Sequence, residues 1–199
     1  MTMKTQLITL TMTVTLFIHA MPLLADDDDD SNPGVAPIDN SFYVKECGVC
    51  HFAYQPGLLP ARSWQQLMAN IENHFDENAE LETDEQKTLT DYLVNNAADF
   101  SKHKRSRKIM RSLSQHKTLI RITEIPYIVH EHDELPSIMV IGNPKVKSLS
   151  YCDKCHTRAD TGSYSEDDIN IPGFGFWEEN EHSSSFWNRA KRFIGYDDD

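Results

Sequence analysis

Apolar positions recur at helical spacing in two stretches of the chain. In SWQQLMANIENHF, residues 63–75, Trp64, Leu67, Met68, Ile71 and Phe75 fall on one face, because residues three and four apart are neighbours on a helix surface. Ser63 and Gln66 have the spacing of a capping box and predict where that helix starts. The same grammar returns in TDEQKTLTDYLVNNAA, residues 83–98, with Thr83 and Gln86 at the start and Leu89, Tyr92, Leu93 and Ala97 as the buried stripe. A third, shorter helix is expected through NSFYVKECGVC, residues 40–50, with Ser41 as its cap. QPGLLPAR, residues 55–62, reads as the loop that follows it.

Downstream the pattern weakens. Lys102, Lys104, Arg105, Arg107, Lys108, Arg111, Lys117 and Arg121 form a basic island with no acidic residue among them, and its first half reads as a junction between two units. TLIRITEIPYIVHEHDELPSIMVI, residues 118–141, is expected to be extended or irregular, since Pro126 and Pro136 interrupt any long helix. Near the end, Phe186, Trp187, Ala190, Phe193 and Ile194 would line one side of a short helix ended by Gly195. At the start, an apolar, threonine-rich run reaches Leu24 with Lys4 as its one permanent charge, and Ala25 then precedes five aspartates. That is the form of a cleaved secretory signal peptide, with periplasmic export as its consequence; Pro22 and the aspartates count against the alternative of a membrane anchor facing the periplasm. The expected organisation is a signal peptide over 1–25, an acidic disordered lead-in over 26–40, a helical unit over 41–100, a basic linker over 101–121, a second unit over 122–175 and a tail over 176–199.

The cysteines change this picture most. All four lie in two copies of one pattern, Cys47, Cys50 and His51 in KECGVCHFAY and Cys152, Cys155 and His156 in YCDKCHTRAD. Disulfides would suit an exported chain, yet a two-residue spacer closes too small a loop to stabilise much. A zinc site would need the two halves to converge and has no use for a histidine after each pair. C-x-x-C-H is the form of covalent haem attachment: two thiols reach the vinyl groups on one porphyrin edge, and the adjacent imidazole swings under the ring to the iron. Two covalent haem c groups are therefore expected, with His51 and His156 as proximal ligands and three short helices wrapped around the first haem. The formal net charge of −12 gives no reason to expect a nucleic-acid partner.

The sixth ligand decides what each iron can do, since methionine raises the potential, a second histidine lowers it and an open position admits small gases or peroxide. His74 lies three residues after Ile71 and seven after Leu67, on the apolar face of the first predicted helix, with Met68 as competitor on the same face. For the second iron the candidates are His103, His116, His130, His132, His182 and Met139. His130 and His132 are two apart and face one side of an extended chain, so the residues by themselves leave that pair open.

The segments KECGVCHFAYQPGLLPARSW, ENHFDENAELE, YLVNNAAD, RSRKIMRSL, RITEIPYIVHEHDELP and CDKCHTRAD, within residues 43–172, resemble the soluble dihaem cytochromes c called DHC. The resemblance implies a mainly α fold, with an N-terminal, class I cytochrome c-like three-helix haem unit and a smaller, partly irregular C-terminal haem unit. It implies bis-histidine iron at both sites, with His74 opposite His51 and His132, rather than His130, opposite His156. By the same resemblance an oxygen-binding cytochrome and a membrane cytochrome b are expected redox partners. The expected function is one-electron transfer with no small-molecule substrate. A dihaem peroxidase or reductase, which needs a displaceable axial ligand, and a haem-based gas sensor, which needs an output surface, are the alternatives. The tail after Pro172 departs from the pattern and inherits nothing.

Overall fold

Asn40, and not Ser41, opens the first helix: its side-chain oxygen accepts from the Tyr43 N–H at 3.0 Å. This comes from a computed structural model that describes residues 33–177. The signal peptide, the five aspartates and the predicted helix near the C-terminus lie outside the described residues. Those described are mainly helical: α1 (Ser41–Cys47), α2 (Ala61–Met68), α3 (Thr83–Asn95), α4 (Lys104–Ser112) and α5 (Pro126–His130), with short 3-10 turns between α1 and α2, α2 and α3, and α4 and α5. A two-stranded antiparallel hairpin, β1 (Asn170–Ile171) with β2 (Gly175–Phe176), lies at the end of the described residues.

The two capping boxes expected from spacing do not form. Ser63 sits inside the first turn of α2, fully buried, and Pro60 precedes the helix without a side-chain cap. Thr83 is the first residue of α3 and no side chain caps it. Gln86 instead sends its amide to the Met68 carbonyl at 2.6 Å, closing the end of α2 and tying it to α3. The two helices pack through the predicted stripes, with Trp64, Met68, Leu89 and Leu93 buried. Trp64 donates its indole N–H to the Pro56 carbonyl at 2.8 Å, so its polar edge is satisfied in the core.

Three stretches expected as a linker, as extended or irregular chain and as a disordered lead-in contain defined structure. Within the basic segment 101–121, α4 buries Ile109 and Ser106 in the main core. Arg105 donates to the Tyr127 hydroxyl at 2.9 Å and pairs with Glu131 at 3.3 Å. Pro126 starts α5 rather than preventing it, because the first position of a helix needs no N–H and proline's fixed φ suits it. The part of the lead-in nearest the body is docked, with Val35 fully buried. Its N–H donates to the Gly162 carbonyl at 3.2 Å. Gly162 has φ +79°, and a Cβ there would stand 2.4 Å from the Val35 carbonyl oxygen, so only glycine fits.

The N- and C-terminal units are joined by hydrogen bonds as well as by apolar packing. Gln55 is fully buried; its amide nitrogen donates to the Ala159 carbonyl, and its amide oxygen accepts from the Tyr164 hydroxyl at 2.6 Å. Tyr54 donates its hydroxyl to the Ser150 carbonyl, just before the second cysteine pair. Replacing Gln55 with Leu leaves a buried hydroxyl and a buried carbonyl without partners, at about 1–3 kcal/mol each. Gln55→Leu is expected to lower the guanidinium unfolding midpoint of the holoprotein by the equivalent of about 2–6 kcal/mol in all; an unchanged midpoint would show that the joint carries no stability.

Candidate metal centres

The first histidine pair is assembled by a helix end and a turn. Gly48 ends α1, and His51 follows with its Nδ1 2.7 Å from the Phe52 carbonyl. A carbonyl only accepts, so Nδ1 carries the proton and Nε2 keeps its lone pair for a metal. His74 is not on the helix face that spacing predicted. α2 stops at Met68, a 3-10 turn covers Ile71–Asn73, and His74 sits in a tight turn, its N–H donating to the Glu77 carbonyl at 2.8 Å. Phe75 and Asp76 both have positive φ, 57° and 74°, a conformation costing about 1–2 kcal/mol for a side chain of this kind. The Phe75 ring is held by the Arg121 guanidinium, 4.0 Å from its centroid. The outcome is the proximity expected on other grounds: the His51 and His74 rings are stacked with centroids 6.1 Å apart and planes 23° apart.

The second pair is His132 with His156, whose centroids are also 6.1 Å apart, with planes at 74°. His132 follows α5, and its Nδ1 donates to the Ile128 carbonyl at 2.7 Å, which again leaves Nε2 with its lone pair. His130 points elsewhere: its side chain is 80 % exposed, with Nδ1 3.2 Å from Asp133. Met68 is buried in the main core and Met139 in a smaller cluster with Val140, Val146, Ile171 and Phe174. His103 bonds the Pro33 carbonyl at 2.8 Å, His116 is exposed, and His182 lies outside the described residues.

Two imidazoles on opposite sides of one ion, each bonded at about 2 Å with its ring centre slightly more than 1 Å behind the nitrogen, place their centroids about 6.3 Å apart. Both pairs match that span. Among the described residues no group of three or more Cys, His, Asp or Glu side chains converges on a point, so the halves of a zinc site are not brought together. A haem iron asks only for two axial donors. No disulfide joins any of the four cysteines, so each sulfur is available for attachment. Burial pushes Cys47 up to about 11 and Cys152 up to about 12, and raises Cys155, so these groups stay protonated at neutral pH. Burial first, and then the neighbouring His132, pushes His156 down to about 4; burial and then His51 lower His74. Both rings are thus neutral donors at neutral pH, the form that ligates a metal. His156 and His132 face a cavity of about 320 Å³, lined also by Cys152, Cys155, Tyr127 and Met139. Its apolar walls, paired donors and adjacent thiols fit a covalently attached porphyrin.

A tyrosine rests on the imidazole that follows each cysteine pair. The Tyr54 ring lies 5.0 Å from His51, and the Tyr164 ring 5.1 Å from His156. Each is anchored across the joint, Tyr54 on Ser150 and Tyr164 on Gln55. Sequence reasoning missed Tyr164, Gln55 and Arg105 in these roles. No local signal marks a buried glutamine whose partners lie more than a hundred residues away.

The dihaem cytochrome c family model, DHC, matches residues 43–164. Nothing among curated proteins matches. A dihaem cytochrome c of known structure from Shewanella baltica is 41 % identical, with 70 % of this chain and 98 % of that chain covered at a TM-score of 0.58. One from Rhodobacter sphaeroides is 40 % identical, with coverage of 65 % and 100 % and a TM-score of 0.59; a further DHC structure from that organism is 34 % identical, covering 64 % and 99 % at 0.52. With a family match over most of its length and these structural relatives, this chain belongs to the dihaem cytochrome c family, whose members carry two covalently bound haem c groups.

Proposed function

We propose that the protein is a one-electron carrier in which His51 and His74 hold the first haem iron and His156 and His132 hold the second. Cys47 and Cys50 would anchor the first porphyrin, Cys152 and Cys155 the second. The observation that carries this reading is the pair of imidazole couples, each with centroids 6.1 Å apart, each beside its own pair of thiols. Haem, when bound, supplies the one-electron couple. The chain's part is to fill both axial positions with nitrogen, to hold those nitrogens in place across the change of charge, and to leave no open position for peroxide or a gas. That is the design of a carrier and not of an oxidase or a sensor. The apolar leader read from the sequence supports export to the periplasm; no helix among the described residues is long and apolar enough to cross a membrane.

Docking is supported by charge. Lys102, Arg107, Arg111, Lys117 and Arg121 are exposed, and Arg121 lies over Phe75 beside His74. This places positive charge next to the first centre of an otherwise acidic chain and suits an acidic redox partner. An oxygen-binding cytochrome as acceptor and a membrane cytochrome b as donor are the partners we propose, on the family likeness.

His74→Met is expected to raise the first haem's potential, because thioether ligation favours ferrous iron, and to leave the second unchanged; a titration identical to that of the unaltered protein would show that His74 is not on the iron. Electron exchange with a strongly acidic ferredoxin is expected to slow by roughly tenfold as ionic strength rises from about 0.01 M to about 0.15 M, as the Debye length falls from about 30 Å to about 8 Å. A rate that rises with salt would mean that the net charge of −12, and not the basic face, governs the encounter.

A further inference from the structure

We infer that the two centres differ in the planes of their axial imidazoles, near-parallel at His51/His74 and near-perpendicular at His132/His156, and that the second centre is therefore the more easily reduced. This rests on the histidine ligation proposed above and adds to it the orientation in which each ring is held. The angles are 23° and 74°.

None of the four rings is a free rotor. His51 is fixed by its Nδ1–H bond to the Phe52 carbonyl and by Tyr54, whose plane is 33° from its own. His74 is fixed by backbone bonds in both directions with Glu77 and by the Phe75 ring at 4.7 Å. His132 is fixed by its bond to the Ile128 carbonyl, four residues back. His156 has a buried Nδ1 with no hydrogen-bond partner. Packing therefore sets its plane, above all the edge of Tyr164 at 65°.

The electronic consequence follows from symmetry. An imidazole donates π density, perpendicular to its own plane, into one of two iron d orbitals. Parallel rings act on the same orbital, split the pair and stabilise the ferric ion, giving a rhombic magnetic resonance. Perpendicular rings act on one orbital each, so the pair stays nearly degenerate, the resonance becomes strongly anisotropic and the ferric state gains less. Two further observations point the same way. The second pair faces a largely apolar cavity, whereas Val49 and Cys50 at the first centre are exposed, and burial disfavours the additional charge of ferric iron. His156 also lacks the Nδ1 acceptor that makes an imidazole a stronger donor.

Electron paramagnetic resonance of the frozen, oxidised holoprotein, followed through a reductive titration, tests this. Two low-spin ferric signals of equal intensity are expected, one rhombic with three resolved g-values and one showing only a single large g-value, and the latter should vanish first as the potential falls. His74→Met should replace the rhombic signal alone. Tyr164→Leu, which leaves every iron ligand in place, should shift the large g-value alone, and Tyr164→Phe, which keeps the ring, should restore it; an unmoved signal in Tyr164→Leu would overturn the positioning role of Tyr164. Two rhombic signals, or loss of the rhombic one first, would overturn the inference while leaving histidine ligation standing. Ligation itself would fail differently, through a high-spin signal or a methionine–iron near-infrared band in the unaltered protein. Should His74→Met not accumulate, haem-methyl proton shifts of the oxidised protein report the same planes, widely spread for parallel rings and bunched for perpendicular ones.

Discussion

An iron gripped between two imidazoles requires two side chains from distant parts of a chain to face each other at a fixed span, with their lone pairs turned inward. The local structure at both sites is arranged around that requirement. In each case one ring follows immediately after the thiols, so the covalent link and the proposed first axial bond would share a single turn of chain. The opposing ring comes from a strained turn at the first site and from the end of a five-residue helix at the second. Carbonyls of Phe52 and Ile128 settle which nitrogen keeps the proton. Helices this short bury little surface by themselves, so the porphyrin is the apolar body on which they depend.

A second constraint is that the two centres share one framework. Val35 packs against Gly162, Arg105 of α4 reaches the Tyr164 carbonyl, and Gln55 and Tyr54 cross into the C-terminal unit. The tyrosine resting on the imidazole that follows each cysteine pair is hydrogen-bonded to the other unit. A movement of one unit against the other would disturb both rings, so the joint that stabilises the fold also fixes the environment of the irons.

Much of this was legible in the sequence. The duplicated C-x-x-C-H motif announces its chemistry locally, and of the predicted stripes α2 and α3 bury Trp64, Met68, Leu89 and Leu93, with Leu67 and Tyr92 half-buried. His74 was expected near His51 from a helix face that does not form: the helix expected to carry it ends at Met68, and a turn through Phe75 and Asp76 sets the ring beside His51 instead. Pro126 was read as interrupting any long helix, and none forms there, but it also begins the five-residue α5, which that reading did not anticipate. The basic segment concealed α4 because Ser106 and Ile109 contribute few apolar positions to any periodicity. Gln86 has a capping-box spacing but bonds Met68 in another helix, and Gln55 and Tyr164 meet across half the chain. Tertiary partners of this kind leave no trace in spacing, whereas a covalent attachment motif must be written in consecutive residues.

On the ligation proposed above, two irons would each sit between two imidazole nitrogens. Iron-edge X-ray absorption on the oxidised holoprotein addresses it without mutation. The account predicts six nitrogen neighbours at about 2 Å around iron at both sites and no sulfur in the coordination shell. A sulfur scatterer, or an average coordination number below six, would contradict it.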